Sequence, residues 1–275
     1  MRIWAWLLLI CLVLSSSIGL SPAWADSGKT LSHSLDELFQ TAFAATQAGD
    51  FAAAEQAWGQ AIDLNPGNAA AWSNRGNAHV SQGDFEAAIA DYNESIRLAP
   101  EAPDPYLNRG TAWEGLQQWD RAIADYQQVL ALNPQDPAAW NNLGNVEGSL
   151  GHWEQALADF QKAAQLSPGF AFAQANSALA RYELGQQPEA IRQMRNLVRK
   201  YPTFADMRAA LTAALWDQGN VGEAESNWVA VMGLDPRYRD LQWLQTIRRW
   251  PPTLQTALRH FLRLEQGNSG KAQAS

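Results

Sequence analysis

Four asparagines stand 34 residues apart, at Asn74, Asn108, Asn142 and Asn176, and Asn77 and Asn145 form a partial second row three residues further on. A carboxamide both donates and accepts hydrogen bonds. A row of them can therefore pair with the backbone of an extended peptide whatever its sequence. The same side chain also caps or bridges helices, and the residue pattern leaves both roles open. Either way the chemistry is non-covalent. The residues that break or form bonds lack the spacing to do so: His33, His79, His152 and His260 are scattered without metal-ligand intervals, and no Gly-rich phosphate loop or nucleophile elbow occurs. No enzyme activity, metal or cofactor is expected.

The elements that must position these amides follow from a period. Pro66, Pro100, Pro134, Pro168, Pro202 and Pro236 are spaced by 34 residues. Ala54, Ala88, Ala122, Ala156, Ala190 and Ala224 precede them at constant offset. Four residues after each alanine comes a large side chain: Trp58, Tyr92, Tyr126, Phe160, Met194 and Trp228. Gly49, Gly83, Gly151, Gly185 and Gly219 share a further position, where Gln117 is the exception. Each unit reads as two helices, the glycine leaving the first in a left-handed conformation and the proline stopping the second. The small alanine lets the helices approach, and the large residue one turn on fills their junction. One hairpin cannot bury both faces, so successive hairpins must stack. The expected fold is an all-α solenoid of six helix-turn-helix repeats, at residues 35–68, 69–102, 103–136, 137–170, 171–204 and 205–236.

The stretch Ala71-Trp72-Ser73-Asn74-Arg75-Gly76-Asn77-Ala78-His79, followed by Gly83-Asp84-Phe85 and Ala88, resembles the tetratricopeptide repeat (TPR) signature. Ala139-Trp140-Asn141-Asn142-Leu143-Gly144-Asn145, followed by Gly151-His152-Trp153 and Ala156, resembles it equally. The resemblance covers Leu35 to Pro236 and implies that the first helices line a concave binding face. Similar asparagine ladders occur in the TPR superhelix of O-GlcNAc transferase. By register, the resemblance also puts Phe43, Val80, Leu107, Thr111, Glu114, Leu179, Tyr182 and Trp216 on that face, with Trp216 its one tryptophan. The Lys/Arg positions with which some TPR domains clamp a chaperone-tail carboxylate are matched by Phe39, Asp104 and Asn108, so that clamp is not expected here. Arg75 and Arg109, at usually apolar positions, are expected to pair with second-helix aspartates such as Asp91 and Asp125.

After Pro236 the register fails. Residues 237–266 read as two capping helices, the second with an apolar stripe at Leu254, Ala257, Leu258, Phe261 and Leu262, expected to cover the open end of the array. Residues 267–275 read as a disordered polar tail and 26–34 as a short polar lead-in. Before them, Met1-Arg2, the apolar run Ile3–Leu14 and the small-x-small motif Ala23-Trp24-Ala25 read as a signal peptide over residues 1–25. An uncleaved membrane anchor is the alternative. Cleavage removes Cys11, the single cysteine, which suits export to an oxidising compartment.

The net charge of −8 argues against nucleic acid as a partner. It is unevenly spread: Asp26–Pro168 holds 6 Lys+Arg and 19 Asp+Glu, Gly169–Ser275 holds 13 and 9. Arg192, Arg195, Arg199, Lys200, Arg237, Arg239, Arg248 and Arg249 make a basic C-terminal end that suits an anionic membrane complex. The leader, the repeat phrasing and the Arg-Arg-Trp-Pro-Pro string resemble exported TPR proteins of cyanobacteria and chloroplast thylakoid lumens. The expected function is a protein-binding adaptor in the periplasm or thylakoid lumen that grips a polypeptide segment. An assembly factor docked on a membrane complex through the basic end is the alternative.

Overall fold

A computed structural model describes the backbone of residues 23–272 and the side chains of 34–264. Most of the predicted signal peptide, residues 1–22, lies outside the described residues, as do 273–275. All the described elements are helices. They divide between Pro66 and Gly67 into two compact units.

The first unit holds one hairpin, α1 (Ala23–Ala48) and α2 (Phe51–Leu64). Trp58, at the large-residue position, is buried between Phe39 and Phe43, with ring centroids 5.5 and 5.0 Å away. Because α1 starts at Ala23, the short polar lead-in of residues 26–34 is helical. No proline interrupts that stretch, and Gly28 alone costs only about 1 kcal/mol in a helix interior.

The second unit holds five hairpins: α3 (Ala69–Gln82) with α4 (Phe85–Leu98), α5 (Pro103–Gly115) with α6 (Trp119–Leu132), α7 (Pro137–Ser149) with α8 (Trp153–Leu166), α9 (Ala171–Glu183) with α10 (Gln187–Lys200), and α11 (Ala205–Asp217) with α12 (Val221–Leu234). With α1/α2 these are the six repeats, numbered one to six. A 3-10 turn at Pro236–Arg239, the short α13 (Leu241–Trp243), a π-helical turn at Leu244–Arg248 and α14 (Pro252–Ala272) complete the chain. The expected disordered tail is therefore helical as far as Ala272. A nucleated helix gains one hydrogen bond per residue added, and nothing after Pro252 breaks it.

Local chemistry fixes the helix ends. Asp84 accepts from the Ala87 N–H at 3.1 Å and Asp136 from those of Ala138 and Ala139 at 2.9 Å, filling orphan donors of α4 and α7. The interhelix glycines take positive φ, as at Gly83 (82°) and Gly151 (83°), and Gln117 is forced into the same region at 56°. Inside the hairpins the periodic alanines are fully buried, and so are Tyr92, Tyr126, Phe160, Met194 and Trp228. Gly76, Gly110 and Gly144 are demanded by close approach: an added Cβ would lie 2.7, 2.5 and 2.7 Å from the ring of Tyr92, Tyr126 or Phe160. Successive first helices of the second unit, α3, α5, α7, α9 and α11, also touch one another, forming the inner row on which the asparagines sit.

Candidate functional site

The expected arginine–aspartate pairs form. Arg75 binds Asp91 in a two-pronged contact at 2.8 and 2.7 Å, with His79 Nε2 3.6 Å from the same carboxylate. Arg109 binds Asp125 at 2.8 and 2.6 Å and reaches Asn93 of the preceding repeat. Both aspartates are buried, so the pairs join first helix to second inside their repeats and leave the inner face to other groups.

On that face the asparagines are partly stitched together. Asn176 donates to Asn141 and Asn145, both at 3.1 Å, and Asn141 donates to Asn142 at 3.3 Å. Asn77, exposed, accepts from the Tyr92 hydroxyl at 2.7 Å. Asn74 and Asn108 are half-buried in the same row. Burial raises the Tyr92 pKa, with the Asp91 charge adding to it, so the hydroxyl keeps its proton and donates. Of the other residues assigned to the face by register, Thr111 is exposed while Tyr182 is buried and gives its hydroxyl to Asp217 at 2.7 Å. Trp216 does not stand open in the groove. Its ring packs against Phe261 of α14, centroids 5.3 Å apart.

That contact belongs to a larger correction. The C-terminal helices do not simply cover the end of the array; α14 packs on α11 and α9, across the inner row. The cause lies in α11, where every residue from Met207 to Leu215 except Arg208 is buried. A helix apolar on nearly all sides needs cover on its inner face too, and the Leu254–Leu262 stripe supplies it. Phe261 seats between Trp216 and Trp228, and the Thr253 N–H donates to Glu183 at 3.0 Å.

The chain between α12 and α14 is anchored by one buried carboxylate. Asp206 of α11 accepts from the Tyr238 hydroxyl at 2.8 Å, and from Trp250 Nε1 and Arg248 Nε, each at 3.0 Å. The anchored segment, residues 244–251, then crosses the inner row as a strap. Its Arg249, in the left-handed region at φ 50°, reaches Glu114 at 2.6 Å and Ser149 at 3.3 Å. Beneath the strap lie a cavity of about 280 Å³, lined by Asn141, Asn145, Asn176, Phe172, Ile247 and Arg249, and one of about 1020 Å³, lined by Glu114, Trp119, Asn142, Asn145, Ile247 and Arg249. Three of the predicted amides, Asn142, Asn145 and Asn176, thus line two adjoining half-open cavities that share Asn145, and Asn74, Asn77 and Asn108 are not among their walls.

Sequence reasoning missed Asp206, Ile247 and Arg249. The signals were Trp250-Pro251-Pro252 directly after two arginines, and Asp206 at the start of the apolar α11. Among the described residues no group of three His, Cys, Asp or Glu side chains is placed to hold a metal ion, and no helix is long and apolar enough to cross a membrane.

With this geometry in hand, comparison with known proteins is decisive for the family. Sequence profiles described as tetratricopeptide repeat match residues 41–103, 109–178 and 176–237. The chain belongs to the tetratricopeptide repeat family. Solved TPR-like structures share its fold at low identity. The crystal structure of MamA protein is 23% identical over 62% of this chain and 92% of its own, with a TM-score of 0.52. YrrB, described as a TPR protein with an unusual peptide-binding site, is 21% identical over 66% and 94%, with a TM-score of 0.51. A tetratricopeptide repeat protein from Parabacteroides merdae is 20% identical over 87% and 90%, with a TM-score of 0.65. No curated protein matches the sequence.

Proposed function

We propose that this TPR protein is a non-enzymatic adaptor of an extracytoplasmic compartment, periplasm or thylakoid lumen, that binds a polypeptide segment along the inner face of its first helices. The observation that carries the reading is the meeting of Asn142, Asn145 and Asn176 around cavities of about 280 and 1020 Å³ on that face. Amides that both donate and accept, set in a concave and partly apolar channel, suit an extended backbone. The TPR family is a family of protein-interaction scaffolds, and YrrB, a structural neighbour, is described as having a peptide-binding site, which supports the same reading. The leader-like residues 1–25 support the export.

Docking on a membrane complex through the basic C-terminal end has less behind it. Arg192, Arg195, Arg237, Arg248 and Arg249 each pair with a carboxylate of the chain, respectively Glu189, Glu223, Asp235, Asp206 and Glu114.

The test is cross-linked capture from the native compartment, identified by mass spectrometry, with wild type and with Asn142, Asn145 and Asn176 all changed to Ala. Loss of a specific client by the triple variant, at unchanged helicity, is the expected result. Equal capture by both forms refutes the amide row as the grip.

A further inference from the structure

Arg249 is held in a manner that describes a ligand. Its guanidinium lies against three groups of repeats three and four: Glu114 Oε2 2.6 Å from Nη2, the Ser149 hydroxyl 3.3 Å from Nη1, and the Trp119 ring, with its centroid 5.8 Å from the guanidinium carbon. A buried carboxylate, a hydroxyl and an indole face together select a planar, delocalised cation over a compact ammonium.

Within repeat three, Glu114 is oriented by its own neighbours. The Glu114 side chain is 7% exposed, and its Oε1 accepts the Tyr126 hydroxyl. Burial and the Glu114 charge both raise the Tyr126 pKa, so that phenol stays a donor and orients the carboxylate. Gly110 leaves room for the Tyr126 ring, and Trp119 begins the next helix. A carboxylate fixed in a half-apolar wall requires a cation, since an uncompensated buried charge is costly.

Arg249 supplies that cation, its Nη2 lying 2.6 Å from Glu114 Oε2, but from an unfavourable backbone. The arginine itself sits at φ 50°, ψ 43°, a conformation unfavourable for a residue with a Cβ, and it ends a π-helical turn. Leu244 and Trp250 of the strap are buried on either side of it, while Ile247 is 64% exposed. The larger cavity, about 1020 Å³, opens directly onto the cage and is far bigger than the one side chain that uses it.

We infer that the Glu114–Trp119–Ser149 cage is an arginine-selective subsite of the groove, occupied in the unliganded protein by Arg249 and taken over by an arginine side chain of the bound polypeptide. The inference rests on the concave-face reading and narrows it: the client presents arginine in an extended segment and displaces the Arg249 side chain. Arg249 acts as a latch that a correct client opens and an arginine-free segment does not.

The test uses the full chain and a synthetic peptide copying Thr246–Pro252 with alanine at the place of Arg248, alongside the same peptide with citrulline at the place of Arg249. Citrulline keeps the shape and removes the charge. The key variant is Arg249→Gly, which suits the left-handed backbone and removes only the competing guanidinium. Calorimetric titration is expected to give about tenfold or tighter binding of the arginine peptide to Arg249→Gly than to wild type, and about tenfold preference for arginine over citrulline. Adding Glu114→Gln to Arg249→Gly is expected to erase that preference while circular dichroism stays unchanged. Equal affinity for the arginine and citrulline peptides overturns the inference, as does failure of Arg249→Gly to bind the arginine peptide. If both peptides bind equally and the triple asparagine variant still weakens them, the concave-face reading stands and the arginine subsite falls.

Discussion

In repeats two and three the buried aspartate of the second helix faces an arginine from the first, Asp91 with Arg75 and Asp125 with Arg109. In repeat four the arginine's place is taken by Leu143, and Asp159 is just as deeply buried. One of its carboxylate oxygens has no hydrogen-bond partner, and the other accepts only from Gln155 at 3.1 Å. The steric frame is the same in all three repeats: glycine against a six-membered ring, alanine at the crossing, a turn in the left-handed region. The hairpin therefore depends on volume, and the buried ion pair is not what makes it form. Its absence registers instead as a perturbed acid. Burial raises the Asp159 pKa to about 6, with the Glu147 charge adding and the Gln155 hydrogen bond opposing.

The sharpest way to break this comparison is to convert repeat three into repeat four. Arg109→Leu strands Asp125 in the interior, and losing one partner of a buried pair costs about 3 kcal/mol. Urea unfolding is expected to show that loss, and a smaller one when Asp125→Asn is added to Arg109→Leu. An equal loss in both variants would mean that the arginine's packing, not its charge, is what repeat three needs.

The converse change relieves repeat four. Because the folded protein holds the Asp159 proton more tightly than the unfolded chain, its contribution to stability rises as pH falls from above 6 towards the ordinary 3.8. Asp159→Asn is expected to raise stability by about 2 kcal/mol at pH 8 and by almost nothing at pH 4. Melting temperatures of the two proteins should converge as the buffer is acidified. A constant offset across that range would show that Asp159 is not the group responsible.

The smallest difference is at the turns. Repeat four turns on Gly151, whereas repeat three turns on Gln117, the only non-glycine in that row, held at φ 56°. Gln117→Gly is expected to stabilise the chain by about 0.5–1 kcal/mol, and Gly151→Ala to cost about 1 kcal/mol, in the same denaturant titration.

The pairs in repeats two and three were legible before any coordinates, because a fixed period tells which residues of the two helices face one another. The exposed and apolar sides of each hairpin were legible for the same reason. The candidate site was only half legible. The asparagine row could be read off the period, but its internal bonding could not: Asn176 reaches Asn145 rather than standing ready in line, since small shifts between neighbouring repeats decide which amides touch. Trp216 was placed on the right helix, yet its ring is taken by Phe261. The irregular C-terminal segment has no period, so nothing in its local pattern says which face of the array it will join.

By itself the sequence determined the TPR hairpins, their alanine–aromatic cores and their turns, because each depends on contacts within one repeat or between neighbours, and these recur every 34 residues. Only the tertiary structure decided where the last helices go. Asp206 gathers Tyr238, Arg248 and Trp250 from up to 44 residues away, and Arg249 meets Ser149 across 100. Such contacts answer to whichever buried charge and uncovered apolar face are left once the repeats have stacked. That remainder belongs to the assembled unit and to no single stretch of chain.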